Sequence, residues 1–205
     1  NDAVLSEEAA DDSDRLTADR VWIIDPLDGT QEYSEFDRAD WAVHIALWER
    51  KDADGKPSDE GSITEAAVAL PAYNMTLSTH QLPKTPDKHD GRPRLVVSRN
   101  RATREAVIVA EALDCDVARL GSAGAKAMAV VLGEVDIYVH AGGMYQWDSA
   151  APIAVAAAAG LFTSRIDGTP LIYNRRDAWL PDLVVCQQHL AQQVIDALRA
   201  GRLGA

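Results

Sequence analysis

The sequence predicts a layered α/β fold, and three observations carry the prediction. Short strand-like runs alternate with helix-spaced segments along the chain without an internal repeat, which is the pattern of sheets covered by helices. At 205 residues, 47% of them hydrophobic, the chain is long enough to bury most of its apolar side chains. A stretch rich in Pro, Lys and Asp over 81–94 divides it into two α/β halves, expected as 1–90 and 91–205.

The first twenty residues are polar and acidic, and Asp11, Asp12 and Asp14 read as an exposed loop. Trp22, Ile23 and Ile24 form the end of a buried strand that begins at Val21. Pro26 biases Asp25 away from helical geometry, so the strand is expected to stop at that aspartate. A tight turn follows, with Gly29 free to take angles a side chain forbids. Residues 30–36 are expected as a short helix capped by Thr30. Residues 41–48 alternate and read as a strand, 51–62 as an exposed hairpin loop, and 64–70 and 75–80 as paired strands. After the linker come a strand at 94–97, a helix at 102–113 and a strand around Val117. The small residues Gly121, Ser122, Ala123 and Gly124 then open a helix over 127–132, at a strand-to-helix corner where a ligand can approach the backbone closely. A strand at 135–139, a loop at 140–146, a helix at 147–159, strands near Leu161 and Leu183 and a helix at 190–198 complete the chain.

Charge and composition narrow the function. Lys and Arg total 20 against 32 Asp and Glu, a net charge of −12, which excludes long-range attraction to nucleic acid or an anionic membrane. A phosphorylated small molecule would be repelled too, so a site for one calls for bound divalent cations that reverse the local sign. Cys115 and Cys186 lie far apart without metal-like spacing, and no signal-peptide pattern opens the sequence, so a reducing cytoplasm is expected. The longest apolar run, 150–162, is about 13 residues, too short to cross a bilayer.

The chemistry concentrates in Asp25-Pro26-Leu27-Asp28-Gly29-Thr30. Asp25 at a strand tip and Asp28 three positions on bring two carboxylates into one small volume. Such charges repel unless a cation lies between them, and clustered hard oxygens suit Mg²⁺ or Mn²⁺. The amide N–H groups of Gly29 and Thr30 face the same spot and are candidates to hold a phosphate.

This run resembles the DPLDGT signature of the inositol monophosphatase superfamily, the Mg²⁺-dependent, Li⁺-sensitive phosphomonoesterases. Two further motifs fall in the same order: Ser6-Glu7-Glu8 upstream is similar to the family's Gly/Ser-Glu-Glu, and Trp147-Asp148-Ser149-Ala150-Ala151 downstream to its W-D-x-A-A. The resemblance implies an alternating α-β-α-β-α sandwich whose two N-terminal helices are absent from this chain, and a dimer. It implies that Glu7, Asp25, Asp28 and Asp148, with the Leu27 carbonyl, hold two or three Mg²⁺ ions, with Mn²⁺ possible and Li⁺ inhibitory. Glu7, Asp25 and Thr30 become the catalytic residues. Gly29, Thr30, Gly121, Ser122, Ala123, Lys126 and Asp148 become the substrate contacts.

Departures from the inositol phosphatases point to a substrate. Those enzymes place a glutamate seven residues before the W-D aspartate to grip sugar hydroxyls, and here that position is Ala141. Thr30-Gln31-Glu32-Tyr33 is similar to the Thr-Lys-Glu-Phe of the CysQ branch, the 3′(2′),5′-bisphosphate nucleotidases, with Gln31 in place of Lys. Lys126 matches a lysine of that branch, and its charge is expected to favour a second phosphate. Arg99 and Arg101 are candidates to hold phosphate or base. The expected reaction is therefore removal of the 3′-phosphate of 3′-phosphoadenosine 5′-phosphate, and PAPS is a further candidate substrate. A broad inositol phosphatase or fructose 1,6-bisphosphatase is the rival, and a non-catalytic metal or nucleotide sensor a second one.

Overall fold

A computed structural model describes residues 2–52, 54–83 and 90–203. The first sheet joins β1 (Ala3–Ser6), β2 (Arg20–Asp28), β3 (Ala42–Lys51), β4 (Pro57–Leu70) and β5 (Met75–Ser78) in that order, with the short helix α1 (Thr30–Ser34) between β2 and β3. The second half supplies β6 (Arg94–Ser98), α2 (Arg104–Ala112), β7 (Asp116–Leu120), α3 (Ala123–Val131), β8 (Ile137–Tyr145), α4 (Gln146–Ala158), β9 (Phe162–Ser164), β10 (Trp179–Cys186) and α5 (Ala191–Leu203). Its sheet runs β7-β6-β8-β10-β9, with β6 parallel to both neighbours and β10 antiparallel to both of its own.

Helices α3 and α4 lie between the two sheets, and α2 and α5 cover the far face of the second. That position explains the composition of α4. Ala150, Ala151, Val155 and Ala156 are all buried, because a helix packed on both sides has no use for a polar face. One apolar cluster unites α3 and α4 with both sheets, through Val21, Ile23 and Val68 on one side and Val96, Tyr138 and Val185 on the other. A second cluster seats α2 and α5 on the outer face through Leu95, Val109, Ile137, Val194 and Leu198. The sandwich of alternating layers expected from the sequence is the architecture observed.

Several boundaries differ from expectation, each for a local reason. β2 does not stop at Asp25. It continues to Asp28 through a one-residue bulge, in which Asp25 pairs with His44 and Asp28 with Ala42, and Pro26 sits where no ladder donor is required. Thr30 does not cap α1. Gly29 occupies the cap at φ 91°, and the helix ends at Ser34, short of Phe36. The expected loop over 51–62 shrinks to a turn, since β3 reaches Lys51 and β4 begins at Pro57. Asp52 Oδ1 holds that turn by accepting from the amides of Asp54 and Lys56 at 3.0 and 2.9 Å. Helix α3 begins at Ala123, four residues early, because the Ser122 hydroxyl accepts from the Ala125 amide at 2.9 Å. Residues 140–145, expected as loop, belong to β8. The acidic opening contains a parallel edge strand and a one-turn 3-10 helix, Ser13–Leu16, capped by Asp12. The middle of the 81–94 linker lies outside the described residues.

Candidate active site

The bulge in β2 aims Asp25 and Asp28 inward, at the first turn of α4. Side chains on a regular strand alternate faces, and residues three apart would point oppositely. The extra residue restores both to the same side, so Asp25 and Asp28 are both buried. Asp148 reaches them from the third position of α4, where its Oδ2 also accepts from the Tyr145 amide at 2.6 Å. Asp148 is therefore a helix cap and a site residue at once. Ligand atoms of the three aspartates lie within 4.8 Å of one another.

Each carboxylate is held differently. Asp28 Oδ2 accepts from the Ser122 hydroxyl at 2.6 Å and the Gly124 amide at 2.7 Å. Asp25 Oδ1 accepts from the Leu27 amide at 2.9 Å, while its Oδ2 is buried without a hydrogen-bond partner among the described residues. Burial first, and then the charges of Asp28, Glu7 and Asp148, push the Asp25 carboxyl up to about 8. Burial, reinforced by Asp28 and Glu7, pushes Asp148 up to about 7. A buried oxygen with no donor, in a cluster of repelling oxygens, is what a divalent cation repairs, and an all-oxygen donor set suits a hard ion.

Glu7 is exposed and stands outside the three-aspartate cluster, yet close enough for its charge to raise both Asp25 and Asp148. The Leu27 carbonyl accepts from Thr30 Oγ1 at 3.4 Å. Gly29 packs on the Ser122 turn, where a β-carbon would stand 3.1 Å from Ser122 Cβ. The Gly121 amide donates to Asp40 Oδ2 at 2.6 Å, and Ala123 begins α3. Two expectations need correction. Lys126 is 2% exposed and turns inward, its ammonium donating to the Gly121 carbonyl and lying 5.4 Å from the Tyr138 ring, so it does not stand out as a phosphate ligand. Arg99 is committed elsewhere, to a bidentate pair with Glu35 at 2.5 and 2.6 Å and to Glu32 at 3.5 Å.

The motifs did not disclose His44. It is fully buried, with Nδ1 3.1 Å from the Trp147 carbonyl and Nε2 3.3 Å from Asp28 Oδ2. The alternation of β3 places it on the inward face with Ala42 and Ala46, which was the signal available. A β-carbon on Gly124 would lie 2.0 Å from His44 Nε2, so glycine is required where α3 crosses this ring.

The family profile described as "Inositol monophosphatase family" matches residues 1–201. The chain is 50% identical over 200 residues to the 3′-phosphoadenosine 5′-phosphate phosphatase of Mycobacterium bovis, covering 96% of this chain and 73% of that protein. It is 32% identical over 172 residues to the 3′(2′),5′-bisphosphate nucleotidase CysQ of Escherichia coli, covering 78% of this chain and 65% of that one. Among solved structures, CysQ from Bacteroides thetaiotaomicron superposes with a TM-score of 0.71 at 23% identity over 91% of this chain and 77% of its own. Inositol monophosphate-bound SaIMPase-II superposes at 0.77 and 19% identity over 100% of this chain and 79% of its own. These two likenesses concern the fold.

Proposed function

Since this chain belongs to the inositol monophosphatase family, we propose that it is a Mg²⁺-dependent phosphomonoesterase that removes the 3′-phosphate of 3′-phosphoadenosine 5′-phosphate, giving AMP and phosphate. The convergence of Asp25, Asp28 and Asp148 within 4.8 Å, with one buried oxygen unpartnered, is the observation that carries the chemistry. The relative at 50% identity and the alanine at position 141 direct the choice of substrate. In this reading the 1–90 half brings the turn and the 91–205 half brings Asp148 and the small-residue corner. A cytoplasmic homodimer that clears a by-product of sulfate assimilation completes it.

The three aspartates, with Glu7 and the Leu27 carbonyl, would hold the cations. When bound, these supply positive charge for the phosphate oxygens and the departing ester oxygen, and lower the pKa of a coordinated water. Glu7 and Thr30 orient and deprotonate the attacking water. The amides of Gly29 and Thr30 hold the phosphate oxygens as charge grows in an in-line displacement. Ser122 and Gly124 keep Asp28 from rotating away, since both donate to the same oxygen. Glu7 and Thr30 have no use in simple binding, which favours an enzyme over a sensor.

The test is phosphate release with Mg²⁺ from 3′-phosphoadenosine 5′-phosphate, inositol 1-phosphate and fructose 1,6-bisphosphate, with and without Li⁺. A Li⁺-suppressed preference for the nucleotide is expected. Comparable rates on all three would overturn the substrate assignment, and binding without turnover would overturn the reaction.

A further inference from the structure

A cleft of about 610 Å³ lies beyond the acid site, between the 98–105 segment and residues 140–143 of β8. That volume is in the range of small-molecule sites. Its floor is Ala141, Gly142 and Gly143, so the strand offers backbone where side chains would otherwise fill the space. A β-carbon on Gly142 would meet nothing within 4 Å, which leaves this part of the floor open.

The charge of the cleft runs against that of the chain. On a protein of net charge −12, its walls carry Arg101 and Arg104 against one acid, Glu105. Both arginines are exposed. Arg101 makes no hydrogen bond or ion pair among the described residues, and Arg104 makes one, to the Gly201 carbonyl at 3.3 Å. Arg99, two residues away, is spent on Glu35. Cations left unpaired in an acidic protein are available to an anion from solution.

Three contacts tie this cleft to the acid site. Asn100 in its wall donates to Gln31 Oε1 at 3.1 Å, and Gln31 follows Thr30 in the phosphate turn. β8 leads from the cleft floor to Tyr145, whose amide donates to Asp148. The buried ammonium of Lys126 lies near enough to His140 in the wall and to Asp148 to lower the pKa of both.

We propose that this cleft is the subsite for the second phosphate of a bisphosphorylated substrate, with Arg101 and Arg104 as its ligands. The guanidinium fork matches phosphate oxygens in a bidentate manner. A substrate with one phosphate leaves both arginines solvated and gains nothing from them. The position that branch relatives fill with lysine is the neutral Gln31 here, so the second-phosphate charge of this chain comes from the 101–104 segment. The inference rests on the acid cluster being a phosphomonoesterase centre.

The experiment compares kcat/KM for 3′-phosphoadenosine 5′-phosphate and for adenosine 3′-monophosphate, in the wild type and in Arg101→Ala, Arg104→Ala and the double variant. It also measures binding of AMP and of adenosine without Mg²⁺. Each substitution is expected to lower the ratio of the two kcat/KM values by about tenfold, chiefly through KM, and to weaken AMP about tenfold while leaving adenosine unmoved. Equal losses on both substrates, or AMP binding that does not change, overturns the subsite. A wild type that hydrolyses neither nucleotide overturns the phosphatase reading instead, and the AMP arm then still decides the cleft. Both side chains are exposed, so melting temperatures within a few degrees of wild type are expected.

Discussion

Replacing Asp25 with asparagine is expected to abolish turnover and to stabilise the metal-free protein. The Asp25 carboxyl is buried and pushed up to about 8, above its unfolded value of 3.8. The folded chain therefore holds a proton that the unfolded chain has released, and stability falls as pH rises through the window between those values. At about 1.4 kcal/mol per unit, retaining that proton at pH 7 costs up to about 4 kcal/mol. Part of this is repulsion that Asp28, Glu7 and Asp148 share, so removing one partner recovers about 2 kcal/mol, or about 4–8 °C in Tm for a chain of this size. Asparagine keeps the acceptor for the Leu27 amide and turns an N–H₂ toward the remaining carboxylates. The assay is the Tm of metal-free wild type and Asp25→Asn at pH 5 and pH 7.5, with Mg²⁺-dependent phosphate release alongside. The gain should be clear at pH 7.5 and small at pH 5, and turnover should fall about a thousandfold, about 4 kcal/mol of barrier. A variant no more stable at pH 7.5, or one that keeps its Mg²⁺-dependent activity, would refute the reasoning.

Because Asp25 and Asp148 both carry raised values, Mg²⁺ should raise Tm more at pH 7.5 than at pH 5.5, and an equal shift at the two would count against a carboxylate site. Hydrogen exchange over residues 2–36 should slow when Mg²⁺ is added, and unchanged protection would contradict the cluster's role in ordering that segment. Ser122→Ala removes a cap of α3 and a donor to Asp28. It should cost about 1 kcal/mol of stability and raise the Mg²⁺ concentration needed for half-maximal activity, read by denaturation and metal titration. Arg15 is 1% exposed and donates to Asp11, Asn174 and the carbonyls of Arg175 and Arg176. Arg15→Ala leaves buried acceptors unpaired and should cost about 3 kcal/mol in urea denaturation.

The acid centre was legible because its parts are local. Two aspartates three apart beside Pro and Gly announce a turn with convergent oxygens, and an aspartate after Trp147 sits in a helical first turn by periodicity alone. The small-residue corner at 121–124 was legible as a place of close approach, although Gly121 and Gly124 make way for the side chains of Glu32 and His44 and not for a ligand. What the residues could not disclose depends on partners far along the chain. Arg99 looked like a free cation until the fold brought Glu35 to it across 64 positions. Lys126 looked solvent-facing because lysines usually are, and only packing between two sheets turned it onto Gly121. The unpaired state of Arg101 and Arg104 is equally a result of what the fold places near them.

The sequence by itself determined the alternation of elements, the layered class and the oxygen-rich chemistry of the 25–30 turn, since these follow from backbone restriction, side-chain periodicity and the hardness of carboxylate ligands. Only the tertiary structure decided that β2 bulges so that Asp25 and Asp28 face the same way, that Asp148 meets them, and which cations remain unspent. Hydrogen-bond registers and ion pairs are settled by the whole chain closing on itself, and their energies depend on burial, which no local stretch contains.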